Sequence, residues 1–156
     1  MAKAKAETRM HLLEIPLSRF HLLVPSATVA EVVTMSPLTM IPGMAPWVIG
    51  VLGWRGRAVP VISFEALLMS AAPEPAARAK MVVFYPLPGR SDSEFFAMLS
   101  VREPQPRVIM DAADVVPSSA GAVESPYVAS TVKLGGSTLL IPDFEALRAA
   151  FYPRPQ

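Results

Sequence analysis

The chain has no cysteine among its 156 residues. Disulfides, zinc ribbons, iron–sulfur ligation and thiol nucleophiles are excluded together, and a reducing, cytoplasmic setting fits such a composition. Charge is also scarce: Asp, Glu, Lys and Arg make up 17% of the residues and the formal net charge is +1. The basic residues run from Lys3 to Arg154 without a cluster of four or five. The long-range field that draws proteins onto nucleic acid is therefore weak, and no nucleic-acid partner is expected. No apolar stretch approaches the roughly 20 residues that span a bilayer, so no direct membrane insertion is expected. The basic opening "MAKAKAETRM" lacks the apolar region and small-residue cleavage site of a secretory signal. Residues 1–9 read as a disordered tail.

Catalytic signatures are missing as well. The phosphate-loop spacing Gly-x-x-x-x-Gly-Lys-Ser/Thr, the Gly-x-Ser-x-Gly elbow, and the kinase and dinucleotide fingerprints do not occur. His11 and His21 stand alone in apolar runs, which reads as satisfied, half-buried histidine in place of a metal site. Asp111 and Asp114 in "DAADVVP" read as a turn leading into a strand and not as an acid/base pair. The expectation is a chain that is not an enzyme and holds no cofactor or metal.

What is abundant is apolar surface and proline: 52% of residues are hydrophobic and 17 are Pro. Short Val/Ile/Leu runs broken by turn residues predict strands over 11–15, 21–25, 28–34, 47–52 and 57–63, the grammar of an all-β barrel or sandwich. The segment "SPLTMIPGMAP" (36–46) reads as an irregular connection. Ser63 is placed to cap a short helix through "FEALLM". Residues 71–79 have the composition of a linker. The same grammar then resumes, with strands over 80–87, 94–101, 106–111, 127–134 and 137–143 and a closing helix "FEALRAAF". The nine methionines are read as core gap-fillers.

Phe-Glu-Ala-Leu occurs at 64–67 and again at 144–147, each time eight residues after a glycine, Gly56 or Gly136. Matching context of turn, strand and helix points to an internal duplication and to two similar lobes. The expected division is a lobe over about 10–70 and a lobe over 80–152, together one domain over 10–152.

The stretch "VLGWRGRAVPVI" (51–62) reads as a hairpin with Gly53 and Gly56 at its turn and Arg55 and Arg57 flanking it. An Arg at a strand end is ordinarily a solvated surface residue. Its planar fork, and the enrichment of Arg and Trp at binding hot spots, make a protein partner the better use of an outward Trp54, Arg55 and Arg57. Alternation places Glu31 on the face of Val29 and Val33 in "TVAEVV", so it is either at an exposed edge or in need of a partner. Proximity of Glu31 to Arg55 is expected.

Residues 50–64 resemble the most recognisable part of the CheW-like domain, the adaptor fold of bacterial chemosensory systems, whose pattern runs "GVLNLRGRVVPVIDL". The resemblance extends to "LLVPSATVAEVV" (22–33) and "LTMIPGMAPWVIGV" (38–51). It is weaker over 80–152, where "LGGSTLLIPDFEAL" still fits. Departures occur at Gly53, Trp54 and Ser63, where the pattern has Asn, Leu and Asp. They resemble the divergent ChpC type found in chemosensory systems of pilus-based twitching motility. The resemblance implies two SH3-like five-stranded small β-barrels with short helices, and a scaffold joining a histidine kinase regulatory domain (CheA-like) to the cytoplasmic tip of chemoreceptors. It implies recruitment to membrane-associated receptor arrays and, carried over position by position, Glu31, Val32, Gly50, Val51 and Arg55 as partner-binding residues. The competing class is a general β-barrel binding module for another protein or an oligonucleotide, for which Trp54, with Arg55 and Arg57 beside it, would be the stacking platform.

Overall fold

Runs of β-branched and aliphatic residues, each closed by a turn, build a structure dominated by strands. A computed structural model describes residues 9–70, 77–87, 94–119 and 123–152. Residues 1–8 of the expected tail and most of the expected linker lie outside the described residues. Those described form strands β1 (Met10–Pro16), β2 (His21–Pro25), β3 (Val29–Thr34), β4 (Val48–Trp54) and β5 (Arg57–Ile62), helix α1 (Phe64–Met69), strands β6 (Lys80–Phe84), β7 (Phe96–Ser100), β8 (Gln105–Ile109), β9 (Val115–Pro117), β10 (Val128–Leu134) and β11 (Ser137–Pro142), and helix α2 (Phe144–Phe151). Asp111 caps the turn before β9 by accepting from the Ala113 amide at 2.9 Å, the turn-then-strand expected for "DAADVVP".

Two sheets result, with strand orders β8-β1-β2-β11-β10-β9 and β3-β6-β7-β5-β4. The second has the expected five strands; the first gains a sixth because the three-residue β9 pairs with β10. The sheets do not follow the expected division into 10–70 and 80–152. Hairpin β1–β2 pairs with β8 and β11, far along the chain, while β6–β7 pairs with β3 and β5. Each half of the chain lends its first hairpin to the other half's sheet. The repeat marks which elements are alike, not which ones pair. A hairpin satisfies only its inner ladder and leaves both outer edges open, so its neighbours are chosen by packing. Each lent hairpin joins in parallel on one side, through Leu22 and Leu140 in one sheet and through Val61/Ala97 and Ile62/Met98 in the other, and antiparallel on the other side, β1 with β8 and β6 with β3.

This exchange explains why β6 and β7 are buried along their whole length apart from Lys80. In β6, Met81 and Val83 point into a core inside their own sheet, shared with Leu52, Trp54, Val59, Val61 and Ala97. Val82 and Phe84, one step out of phase, point into a core common to both sheets, which also holds Ile15, Leu22, Val24, Ile62, Phe96, Met98, Leu140 and, from the two helices, Phe64 and Leu147. Strict alternation thus fills two cores from one strand. Both helices open the same way: Ser63 Oγ accepts from the Ala66 amide at 3.1 Å and Asp143 Oδ1 from the Ala146 amide at 3.0 Å. The capping role expected for Ser63 is met, and the two Phe-Glu-Ala-Leu copies occupy equivalent places. The methionine reading is corrected. Met81 and Met98 are fully buried, but Met10, Met40, Met44, Met69 and Met110 are exposed, most of them lying in loops or at element ends, where no core face claims them.

Phe84 and Phe96 stack at 5.1 Å between ring centroids, and Phe144 packs against both. Phe96→Ala is expected to cost about 3–5 kcal/mol, the usual range for deleting a buried ring. Because the core is common to both sheets, urea unfolding followed by circular dichroism should remain one transition moved to lower urea. Two separated transitions would contradict a shared core.

Candidate functional site

The β4–β5 hairpin pairs Leu52 with Val59, Gly53 with Ala58 and Trp54 with Arg57. Only Arg55 and Gly56 are left for the turn, and both have positive φ, 47° and 73°, the combination of a type I′ hairpin turn. The expected turn is therefore corrected. Gly53 lies within β4, and Arg55 sits inside the turn where the sequence pattern put it at the flank. A two-residue loop of this type must have φ > 0 at both positions, and the register leaves Arg55 as one of them. A non-glycine residue held there carries strain of about 1–2 kcal/mol, which its surroundings must offset.

Part of that offset is visible. Arg55 Nη2 donates to Glu31 Oε1 at 2.7 Å, so the structure brings these two residues together as expected. Glu31 stands on β3, the edge strand of its sheet, just past an irregularity in the β3–β6 register. With side chains 61% and 38% exposed, the pair contributes only about 0.2–1 kcal/mol. Trp54 corrects the outward reading: it is 7% exposed, with its ring under the Arg55 guanidinium at 4.7 Å and against Phe95 at 5.1 Å. The expectation failed because alternation along β4 puts Trp54 in phase with Leu52, on the core side. Arg57 opens β5, its guanidinium 4.9 Å from the Phe95 ring centroid. Trp54, named as the stacking platform for an oligonucleotide, has no free ring face.

The remaining carried-over residues separate. Val32 is partly buried and packs against the core common to both sheets. Gly50 forms a bulge in β4 at φ 151°. A Cβ there would meet the Leu38 Cβ at 2.7 Å and the Thr39 carbonyl at 3.2 Å. That close approach lets the 36–46 segment lie across β4, held by paired hydrogen bonds of 2.9 and 2.8 Å between Thr39 and Val51. The strap leaves Met40 at 70%, Ile41 at 47% and Met44 at 40% exposure. Beneath it runs an apolar groove of about 360 Å³, lined by Ile41, Met44, Trp47, Val51, Pro60 and Tyr152 among others. Sequence reasoning took the strap for a mere connection. Its signal was three large apolar residues in a stretch with no regular structure in which to bury them.

Two comparisons with known proteins bear on these features. The family model for the CheW-like domain matches residues 11–150. The chain belongs to the CheW-like domain family. Its structure is similar to the crystal structure of the scaffolding protein TtCheW from Thermoanaerobacter tengcongensis, with a TM-score of 0.76 over 100% of this chain and 96% of that one. At 15% identity that likeness shows the fold: two β subdomains, as the resemblance implied. No curated protein matches the chain.

In this CheW-like domain the far wall of the groove is the end of α2, through Ala150 and Tyr152. It is held by polar contacts. The Tyr152 hydroxyl donates to the Phe95 carbonyl at 2.8 Å, and Arg148, 5% exposed, faces Glu94 at 3.7 Å and Glu145 at 3.8 Å. A second charged cluster, on the other sheet, sets Glu14 3.1 Å from Arg107 and 3.6 Å from His21. It is a cross-strand set along β8, β1 and β2. Among the described residues, no group of three His, Cys, Asp or Glu side chains is arranged to hold a metal, and no helix is long and apolar enough to cross a membrane.

The geometry makes two features testable. Gly50→Ala forces the strap off β4 and is expected to cost about 1–3 kcal/mol. Hydrogen exchange should locate the loss of protection at the Thr39 and Val51 amides; unchanged protection there would contradict the close approach. The Tyr152 pKa is raised above 10.0 by burial and by the nearby Glu94 carboxylate. An acid whose pKa is raised on folding contributes stability below its unfolded pKa and loses it as pH climbs past that value. The chain should therefore lose stability above about pH 10, and Tyr152→Phe should flatten that loss in denaturant midpoints taken from pH 8 to 11.

Proposed function

We propose that this CheW-like chain is a non-catalytic scaffold of a chemosensory array, joining the cytoplasmic tip of chemoreceptors to the regulatory domain of a histidine kinase. One observation carries the reading. A charged tip, Arg55 paired with Glu31, stands on the same hairpin as an apolar groove floored by Val51 and Pro60 and edged by the exposed Ile41 and Met44. A cation of fixed position beside an adaptable apolar channel is the chemistry that accepts an amphipathic helix from a partner. The groove also lies between the β4–β5 hairpin of one sheet and α2, which follows the other, so an occupant would touch both subdomains. Val51, Arg55 and Glu31 are the contacts assigned to the receptor tip. Gly50 serves by letting the strap close over β4.

The kinase would be controlled by coupling and not by chemistry. A receptor that changes conformation alters kinase activity only to the extent that the scaffold binds its conformations with different affinity. The chain would work in the cytoplasm, recruited to membrane-associated receptor arrays. The departures at Gly53, Trp54 and Ser63 support an output in pilus-based twitching motility.

Co-elution of the full chain with a receptor-tip hairpin and a kinase regulatory domain from the same genome tests this reading. Wild type should carry both partners, and Arg55→Asp should lose the receptor tip while unfolding at nearly the wild-type urea concentration. Failure of wild type to retain either partner would overturn the assignment. Salt-sensitive retention on single-stranded DNA would favour the oligonucleotide module instead.

A further inference from the structure

We infer that Trp54 is a positioning residue for Arg55: its indole face and the Glu31 carboxylate together hold the guanidinium in one orientation, so that a partner meets a pre-formed cation. This rests on the reading of the hairpin tip as a partner contact.

Turn chemistry does not call for arginine here. The first position of a type I′ turn favours Asn, Asp or Gly, yet Arg55 occupies it at φ 47°. A long side chain that is 61% exposed ordinarily samples many rotamers. This one has two partners, Glu31 Oε1 at 2.7 Å and the Trp54 ring at 4.7 Å. Packing does not call for tryptophan either. The Trp54 Nε1 is buried with no hydrogen-bond partner, a cost that leucine or phenylalanine would avoid while filling apolar space. What tryptophan supplies and those residues do not is the strongest side-chain ring face for a cation. That ring is itself fixed: Phe95 packs against it at 5.1 Å, Tyr85 against Phe95 at 6.1 Å, and Arg57 lies 4.9 Å from the Phe95 centroid. The strained backbone, the orphaned N–H and the stacked rings have one common product, a guanidinium held still. Holding it before binding removes the ordering cost that a free arginine would meet on contact.

The test begins on the free chain. In 15N–1H spectra of the arginine side chains, the Arg55 Hε should be displaced upfield by the indole ring current and broadened less by rotamer exchange than other exposed arginines. A displacement absent in wild type overturns the proposal without any variant. Trp54→Leu, which keeps apolar volume and removes the ring face, should abolish the displacement and weaken binding of the receptor-tip hairpin by about three- to tenfold. Trp54→Leu with Arg55→Ala should bind no more weakly than Arg55→Ala alone; losses that multiply would mean that Trp54 acts independently of Arg55 and would also overturn it. Where Trp54→Leu fails to fold, Trp54→Phe, which keeps a ring face, should hold both the displacement and binding within about twofold of wild type. Should the receptor tip not bind wild type at all, the proposed function fails, while the spectra still decide the positioning role.

Discussion

The rings of Phe84, Phe96 and Phe144 meet where both sheets come together, and most of the architecture hangs on that contact. Phe84 and Phe96 come from the hairpin that the second half of the chain lends to the sheet of the first, and Phe144 opens the helix that follows the other sheet. Ile15, Leu22 and Val24 come from the reciprocal hairpin. Neither sheet is built from a continuous half of the chain, so neither subdomain can form without the other's residues. The backbone is also tied across the join, with the Val101 amide donating to the Pro16 carbonyl at 3.0 Å.

The site follows from that constraint. Once β7 is locked between β6 and β5, Phe95, one residue before it, is placed beside Trp54 and against the Tyr152 hydroxyl. The β4–β5 hairpin then projects its tip toward β3, where Glu31 meets Arg55, and presents its outer face to α2, where the groove opens. Rigid elements thus carry the charged tip and the apolar floor, while the strap over β4 contributes the more adaptable side chains. Rigidity where geometry must be kept and soft methionine where shape must adapt is the division that the proposed helix-binding surface would need.

Much of this is legible in the amino-acid sequence. Turn residues at regular spacing place nearly every strand, Ser63 declares itself as a helix cap, and the repeated Phe-Glu-Ala-Leu marks two equivalent places. The pairing of Glu31 can be foreseen because an edge-strand carboxylate among valines needs a partner. Three things are not legible. Which hairpin joins which sheet is a long-range packing outcome, and the repeat points to the simpler division. The turn position of Arg55 depends on where β4 ends, since carrying the strand two residues past Leu52 takes Gly53 out of the turn, leaves Arg55 and Gly56 as its two residues, and puts Trp54 on the core face with Leu52. The groove depends on a bulge at Gly50 and a strap with no regular structure, neither of which has a periodic signature.

The central claim is that the β4–β5 tip and its adjoining groove are where a helical partner sits. The most direct measurement is the backbone amide chemical-shift map of the full chain on titration with a receptor-tip hairpin. Shifts centred on Glu31, Val51, Arg55 and the strap residues Met40 to Met44, with smaller ones at the end of α2, are the predicted result. Shifts confined to the β8–β1 edge of the other sheet, or none at all at saturating hairpin, would contradict the account.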